Sequence, residues 1–185
     1  MTMSSNRLGP TFLAAINAIA DAGLSPGDLR GAELTAFDEL LNAMLENYPD
    51  EPLLLRFKGQ VHFDRRKYDK AIPYFSRLVA IKPEDVDSAS YLASSLFNCE
   101  RYSEALPFLS TVLNAFPDDQ ELQFMKGYVL LLQNRREEAA SLLVPLLREY
   151  NEDIINTYGK ELVEIALMGL SASPPAPKGP PGPNP

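Results

Sequence analysis

Side chains able to do covalent or acid–base chemistry are sparse in this chain. His62 is the single histidine and Cys99 the single cysteine. One imidazole with neither a second ligand nor a nucleophile to work with supports little, so His62 is expected to pack rather than react. Cys99 stands in the stretch FNCERY, with Arg101 as the nearby cation, too little to hold a thiolate; an inert thiol is expected. A single cysteine closes no internal disulfide. Lys178–Gly182 reads KGPPG, but no strand precedes it, so it is not a phosphate loop. The acid pair Asp118–Asp119 follows a proline, as do Asp50–Glu51 and Glu84–Asp85, and negative charge there suits a helix N-terminus. Nothing in this set calls for a metal or a cofactor, and an enzyme is not expected.

Composition narrows the partners. The 185 residues carry a formal net charge of −8, and 45% of them are hydrophobic. That is enough apolar material for a core, on a chain whose charge repels phosphate backbones, so nucleic acid is not an expected partner. The opening MTMSSNRLGP lacks the basic start and apolar run of a signal peptide. No window approaches 18 uncharged apolar residues. The expectation is a cytoplasmic protein without a membrane span.

The elements that would position any site announce themselves by repetition. YDKAIPYFSRLVAIKP (68–83) and YSEALPFLSTVLNAFP (102–117) say the same thing 34 residues apart. At that offset Gly59, Ala93 and Gly127 form a row of small residues, and Ala71, Ala105 and Ala139 a second one. Phe75, Leu109 and Leu143 form a large apolar row, and Leu78, Val112 and Leu146 another. The third copy departs, with Arg136 in place of Tyr and Asn151 in place of Pro, as terminal repeats do. Each unit reads as two antiparallel helices, in the first unit about 52–64 and 69–80. Small side chains at Gly59 and Ala71 let that pair approach closely, and Phe75 fills the gap to the next unit. Pro83 and Pro117 end units, since the residue before proline avoids helical angles. Pro73 and Pro107 are expected near a first turn, where a missing N–H costs least. Basic residues gather at the mid-unit turns (Arg65, Arg66, Lys67; Arg101; Arg135, Arg136), where they would complement helix C-termini.

The period and these rows resemble the tetratricopeptide repeat over about residues 52–150. The pattern departs from that family at Leu55, Ala89 and Gln123, where an aromatic is usual, and at Lys58 and Lys126, which replace an apolar residue. The resemblance implies an all-α fold: a right-handed α-solenoid of three helix pairs (about 52–85, 86–119 and 120–151). It also implies a concave groove lined by the first helix of each pair. In that register the groove would present Phe63, Phe97 and Leu131 in one row, Arg56, Ser90 and Phe124 in another, and Gln60, Ser94 and Tyr128 one turn on. Apolar anchors of an extended or helical peptide would seat against Phe63, Phe97, Phe124 and Tyr128, with Arg56 and Gln60 fixing polar groups. The places that hold a carboxylate clamp in some family members carry Arg56, Gln60, Tyr91, Glu121 and Met125 here, which is no clamp.

Flanking segments complete the expectation. Residues 11–23 (TFLAAINAIADAG) read as a helix, with Thr11 as cap and Gly23 as stop. Residues 32–47 read as a second helix, with Phe37, Leu40, Leu41 and Met44 on one face, able to serve as a half-repeat stacked on the first unit. Residues 152–170 read as a capping helix, needed to cover the last apolar face. One domain over 11–173 is expected, with a flexible start (1–10). Its proline-rich tail (174–185) would sample extended conformations and includes a P-x-x-P spacing at Pro174 and Pro177. The stretch ADAGLSPGDLRGAELTAFDELLNAMLENY is similar to the opening of class II chaperones of type III secretion. That likeness implies a chaperone holding an apolar translocator segment, with a homodimer through the N-terminal helices. The alternative is a scaffold or adaptor in a multi-protein assembly.

Overall fold

The computed structural model describes residues 9, 10, 12, 14 and 28–149, without the side chains of 144 and 147–149. Seven helices follow one another among them, with no strand: α1 (Gly31–Asn47), α2 (Pro52–Phe63), α3 (Tyr68–Ile81), α4 (Val86–Asn98), α5 (Tyr102–Ala115), α6 (Gln120–Leu132) and α7 (Arg136–Glu149). The expected start, Thr11 cap, Gly23 stop, capping helix and proline tail lie outside the described residues. Two compact units result, residues 1–117 and 118–185.

In the first unit each helix packs on the next: α1 on α2, α2 on α3, α3 on α4, α4 on α5. The small-residue row explains the spacing. A Cβ added at Gly59 would stand 2.7–3.0 Å from the ring of Phe75, closer than two carbons can come. The Phe75 side chain is fully buried, and its ring lies flat on Tyr91 of α4 (centroids 5.0 Å apart, planes 5° apart). One ring therefore joins α2, α3 and α4, as the sequence reading required of it. In the second unit α6 and α7 pair by the same device: a Cβ at Gly127 would meet Leu143 at 2.4–3.2 Å.

α1 covers α2 as a half-repeat should. Phe37 and Leu41 are buried in a cluster with Phe12, Leu29, Leu54 and Val61, and Leu40 and Met44 pack against it. The register extends too: Leu41 stands 34 residues before Phe75, and Pro49 34 before Pro83. Beneath α1 lies Lys58, only 3% exposed, its ammonium on the carboxylate of Asp38. What reads in the sequence as a departure from an apolar row is a buried ion pair tying α1 to the first repeat.

The turns repeat as faithfully as the helices. Arg66, Glu100 and Asn134 all have positive φ (56°, 58° and 61°). In each turn the next residue's N–H reaches back over five residues: Lys67 to His62, Arg101 to Leu96 and Arg135 to Leu130, all 2.9 Å. This left-handed helix stop favours glycine or asparagine, yet two of the three positions hold Arg and Glu. For those L side chains the conformation costs about 1–2 kcal/mol. Arg66→Gly and Glu100→Gly are therefore expected to stabilise the fold by about 0.5–1 kcal/mol each once glycine's greater unfolded-state freedom is subtracted. Urea denaturation checks this: each midpoint should rise with the slope unchanged.

Two local expectations need correction. Pro73 and Pro107 sit in the second turn, the sixth residue of α3 and α5, and so deprive Asp69 and Ser103 of their usual helical donors. Both rings are exposed, so water can serve those carbonyls. The basic turn residues do not all complement the preceding helix end. Arg65 does, donating to the Val61 carbonyl at 2.9 Å and also to Leu29 at 2.8 Å. Arg101 and Arg135 instead form two-pronged bonds to Glu104 and Glu138 in the first turn of the next helix. Those exposed pairs contribute little to stability.

Candidate functional site

Within the first unit the expected groove row of α2 lies beside that of α4, and two contacts fix them together. Near the start of α2 the Arg56 guanidinium meets the Asp85 carboxylate. Asp85 is also the N-cap of α4, accepting from the Ser88 N–H at 3.3 Å and the Ser88 hydroxyl at 2.8 Å. At the end of α2 the Phe63 ring meets Tyr91 edge-on at 5.0 Å. Phe63 further contacts Tyr68 (5.2 Å) and Phe75 (6.5 Å), so it is a half-buried keystone of three helices more than an open wall.

Between these two ties runs a strip of half-buried side chains: Gln60 on α2, and Ser90, Tyr91 and Ser94 on α4. The Asp85 cap, helical spacing and the stacked Phe75–Tyr91 pair make it a rigid surface. The Ser94 carbonyl accepts from Asn98 at 2.7 Å and the Tyr91 carbonyl from Ser95 at 2.7 Å, but the Gln60 amide and the Ser90, Ser94 and Tyr91 hydroxyls donate to no described residue. Phe97, half-buried, continues the strip and packs edge-on against Tyr102 at 5.7 Å.

The remaining expected residues lie on α6, in the second unit. Phe124 is 4% exposed and is a core residue, which corrects its expected place as a groove wall. Position 124 faces inward because α6 buries Leu122, Phe124, Met125, Gly127, Val129 and Leu130, most of its circumference. Tyr128 and Leu131 are half-buried, and burial raises the Tyr128 phenol above its ordinary value. Of the places compared with a carboxylate clamp, Met125 is buried, and burial with Asp119 nearby raises the pKa of Glu121.

The sequence marks Tyr91 only as a place where a clamp residue is lacking, with no sign of its contacts to Phe63 and Phe75, and gives Arg56 no partner, where the structure has Asp85. A signal existed for Asp85: it follows Pro83 at the start of a helix, where a capping acid belongs. Cys99 has its thiol pushed up by burial and by Asp69, against Arg101, so the thiolate is disfavoured. Among the described residues no three His, Cys, Asp or Glu side chains gather as a metal site, and no helix is long and apolar enough to cross a membrane.

Comparison with known proteins agrees with this architecture. A family model described as "Tetratricopeptide repeat" matches residues 62–123 and again 100–156, together just over half of the chain. No curated protein matches significantly. Among solved structures, MamA from AMB-1 is 18% identical with a TM-score of 0.61, over 78% of this chain and 84% of that one. A double mutant of MamA from RS-1 is 16% identical with a TM-score of 0.60, over 75% and 72%. MamA from MSR-1 is 20% identical with a TM-score of 0.57, over 63% and 67%. At these identities the likeness is one of fold, the all-α tetratricopeptide solenoid.

Proposed function

Because this chain belongs to the tetratricopeptide repeat family, whose helix pairs serve to bind other proteins, we propose that it is a scaffold or adaptor that grips an extended segment of a partner along the α2–α4 strip. The observation that carries this reading is the hydrogen-bonding capacity of Gln60, Ser90, Tyr91 and Ser94, held on a rigid helix pair and unspent among the described residues. Groups of this kind, one from α2 and three within one turn or so of α4, suit the main-chain amides of an extended chain, which presents a donor and an acceptor at every residue. Tyr91 and Phe97 add apolar area at two points along it.

The narrower reading, a chaperone masking an apolar translocator segment, rests on the resemblance of residues 20–48. The strip itself weighs against it: its aromatics are engaged between helices, and what it offers to solvent is largely polar. A greasy client would find few pockets and would strip water from serines without replacing it. A homodimer through the N-terminal helices belongs to that same narrower reading. Phe12 on this side of the chain is buried against Phe57 (6.3 Å) and the α1 cluster.

The test is a quantitative co-purification from the native host. Ser90→Arg with Ser94→Arg is expected to deplete the partners that the unaltered chain retains, while Ser76→Arg on the exposed side of α3 leaves them in place. Equal recovery by all three chains, each melting normally, would overturn the assignment of the strip.

A further inference from the structure

Every polar side chain along the middle of the α2–α4 strip can donate: the Gln60 amide and the Ser90, Tyr91 and Ser94 hydroxyls, with the half-buried rings of Tyr91 and Phe97 among them. A segment dense in free carbonyls suits such a row. Proline supplies it, since each proline keeps its carbonyl and lacks an N–H. The extended polyproline form spends none of those carbonyls internally, and its rings seat on aromatic side chains. This chain carries a segment of that kind. Residues 174–185 read PPAPKGPPGPNP, seven prolines in twelve residues. Their one charged side chain, Lys178, is positive in a chain of net charge −8, and Glu84 and Asp87 stand exposed where α4 and the strip begin.

We propose, on the reading that the strip is a binding surface, that the chain's own proline-rich tail (174–185) lies along it and has to leave before a partner enters. The tail would set its carbonyls on Gln60, Ser90, Tyr91 and Ser94 and its rings on Tyr91 and Phe97. It would thereby hold the strip covered when no partner is at hand.

Chain connectivity allows the reach. α5 packs back along α4, and α7 back along α6, so Ala115 returns to the start of α4 and Glu149 to the start of α6. The path from Glu149 to the start of α4 is thus two helix-packing steps and the short link from Ala115 to Gln120, about 40 Å at most. Residues 150–173 span about 36 Å at a helix's rise and about 80 Å extended. The tail adds about 37 Å at the polyproline rise. A tether of this length gives an effective concentration of about 1 mM. A contact with a Kd of about 1 mM would then cover the strip about half the time and weaken a partner's apparent affinity about two-fold.

Photo-cross-linking of the purified full chain, with no partner present, reads this directly. A photoreactive amino acid at Ser90 is expected to join residues 174–185 of the same molecule, with a yield unchanged on dilution, and one at Ser76 to leave them unlabelled. Pro174→Ser, Pro177→Ser, Pro180→Ser and Pro183→Ser together keep the tail's length. They are expected to remove that adduct and to raise the recovery of host partners about two-fold or more. The inference is overturned if Ser90 joins no tail residue, if the adduct links two molecules and fades on dilution, or if the altered tail leaves partner recovery unchanged or lowers it. Failure of the strip itself reads differently: Ser90→Arg with Ser94→Arg then leaves partner recovery intact whichever tail the chain carries.

Discussion

Phe75→Ala is expected to cost about 3–5 kcal/mol, the range for emptying a fully buried phenylalanine site. Against a total stability of about 5–15 kcal/mol, that is enough to leave much of the chain unfolded at physiological temperature. The ring cannot be spared because three helices meet on it. Its edge lies over Gly59 of α2, its face on Tyr91 of α4, and Phe63 meets it at 80°. The neighbours belong to different turns of a rigid stack, so the space does not close when the ring goes. The complementary change has the opposite geometry. Gly59→Ala pushes a methyl into a ring that Tyr91 backs from behind, and about 1–3 kcal/mol of overpacking is expected. Because both changes act on one contact they should not add: Phe75→Leu in the Gly59→Ala background is expected to recover stability relative to Gly59→Ala alone. Urea denaturation of the four chains measures the cycle. Strict additivity would mean that the two helices do not touch where the structure has them touch.

Asp38→Ala is expected to cost about 3 kcal/mol, the lower end of the range for orphaning a buried charge, since Asp38 itself is partly exposed. The asymmetry between partners is the informative part. Lys58→Met removes the charge that needs a partner and leaves a side chain of similar volume, so it should be close to neutral or stabilising. The double variant should resemble Lys58→Met, because the aspartate left behind can turn to water. Thermal melts of the three variants decide the matter. Equal losses for Asp38→Ala and Lys58→Met would mean that Lys58 contributes packing rather than a buried charge.

Much of this architecture is legible in the sequence, for a physical reason. A 34-residue period fixes which residues are equivalent, and close helix crossings require small residues, so Gly59, Ala71 and Phe75 could be placed from spacing alone. The boundaries of α2 and α3 followed from Pro52, Pro83 and the basic turn between them. Rotation about a helix axis is harder to read. α6 carries apolar residues on every side, with Gln120, Glu121, Gln123 and Lys126 spread among them, so its sequence marks no single outward face, and Phe124 turned inward where a groove wall was expected. Phe63 shows the same limit: an aromatic on a first helix can line a surface or lock three helices, and its neighbours Tyr68, Phe75 and Tyr91 decide. Lys58 was legible as a departure but not as a contact, because its partner lies 20 residues away on an element outside the repeat. The left-handed residues Arg66 and Glu100 gave no signal, since glycine would have marked the turn and is absent.

The α2–α4 strip is the proposed seat of another chain. A photoreactive amino acid placed at Ser90 of the full chain, with Ser76 as the outward control, tests that directly in the native host. Irradiation is expected to join Ser90 to a discrete set of protein segments that Ser76 does not label, and prior Ser94→Arg substitution should erase those adducts. Identical adducts from both positions, or none from Ser90 while Ser76 yields them, would contradict the claim.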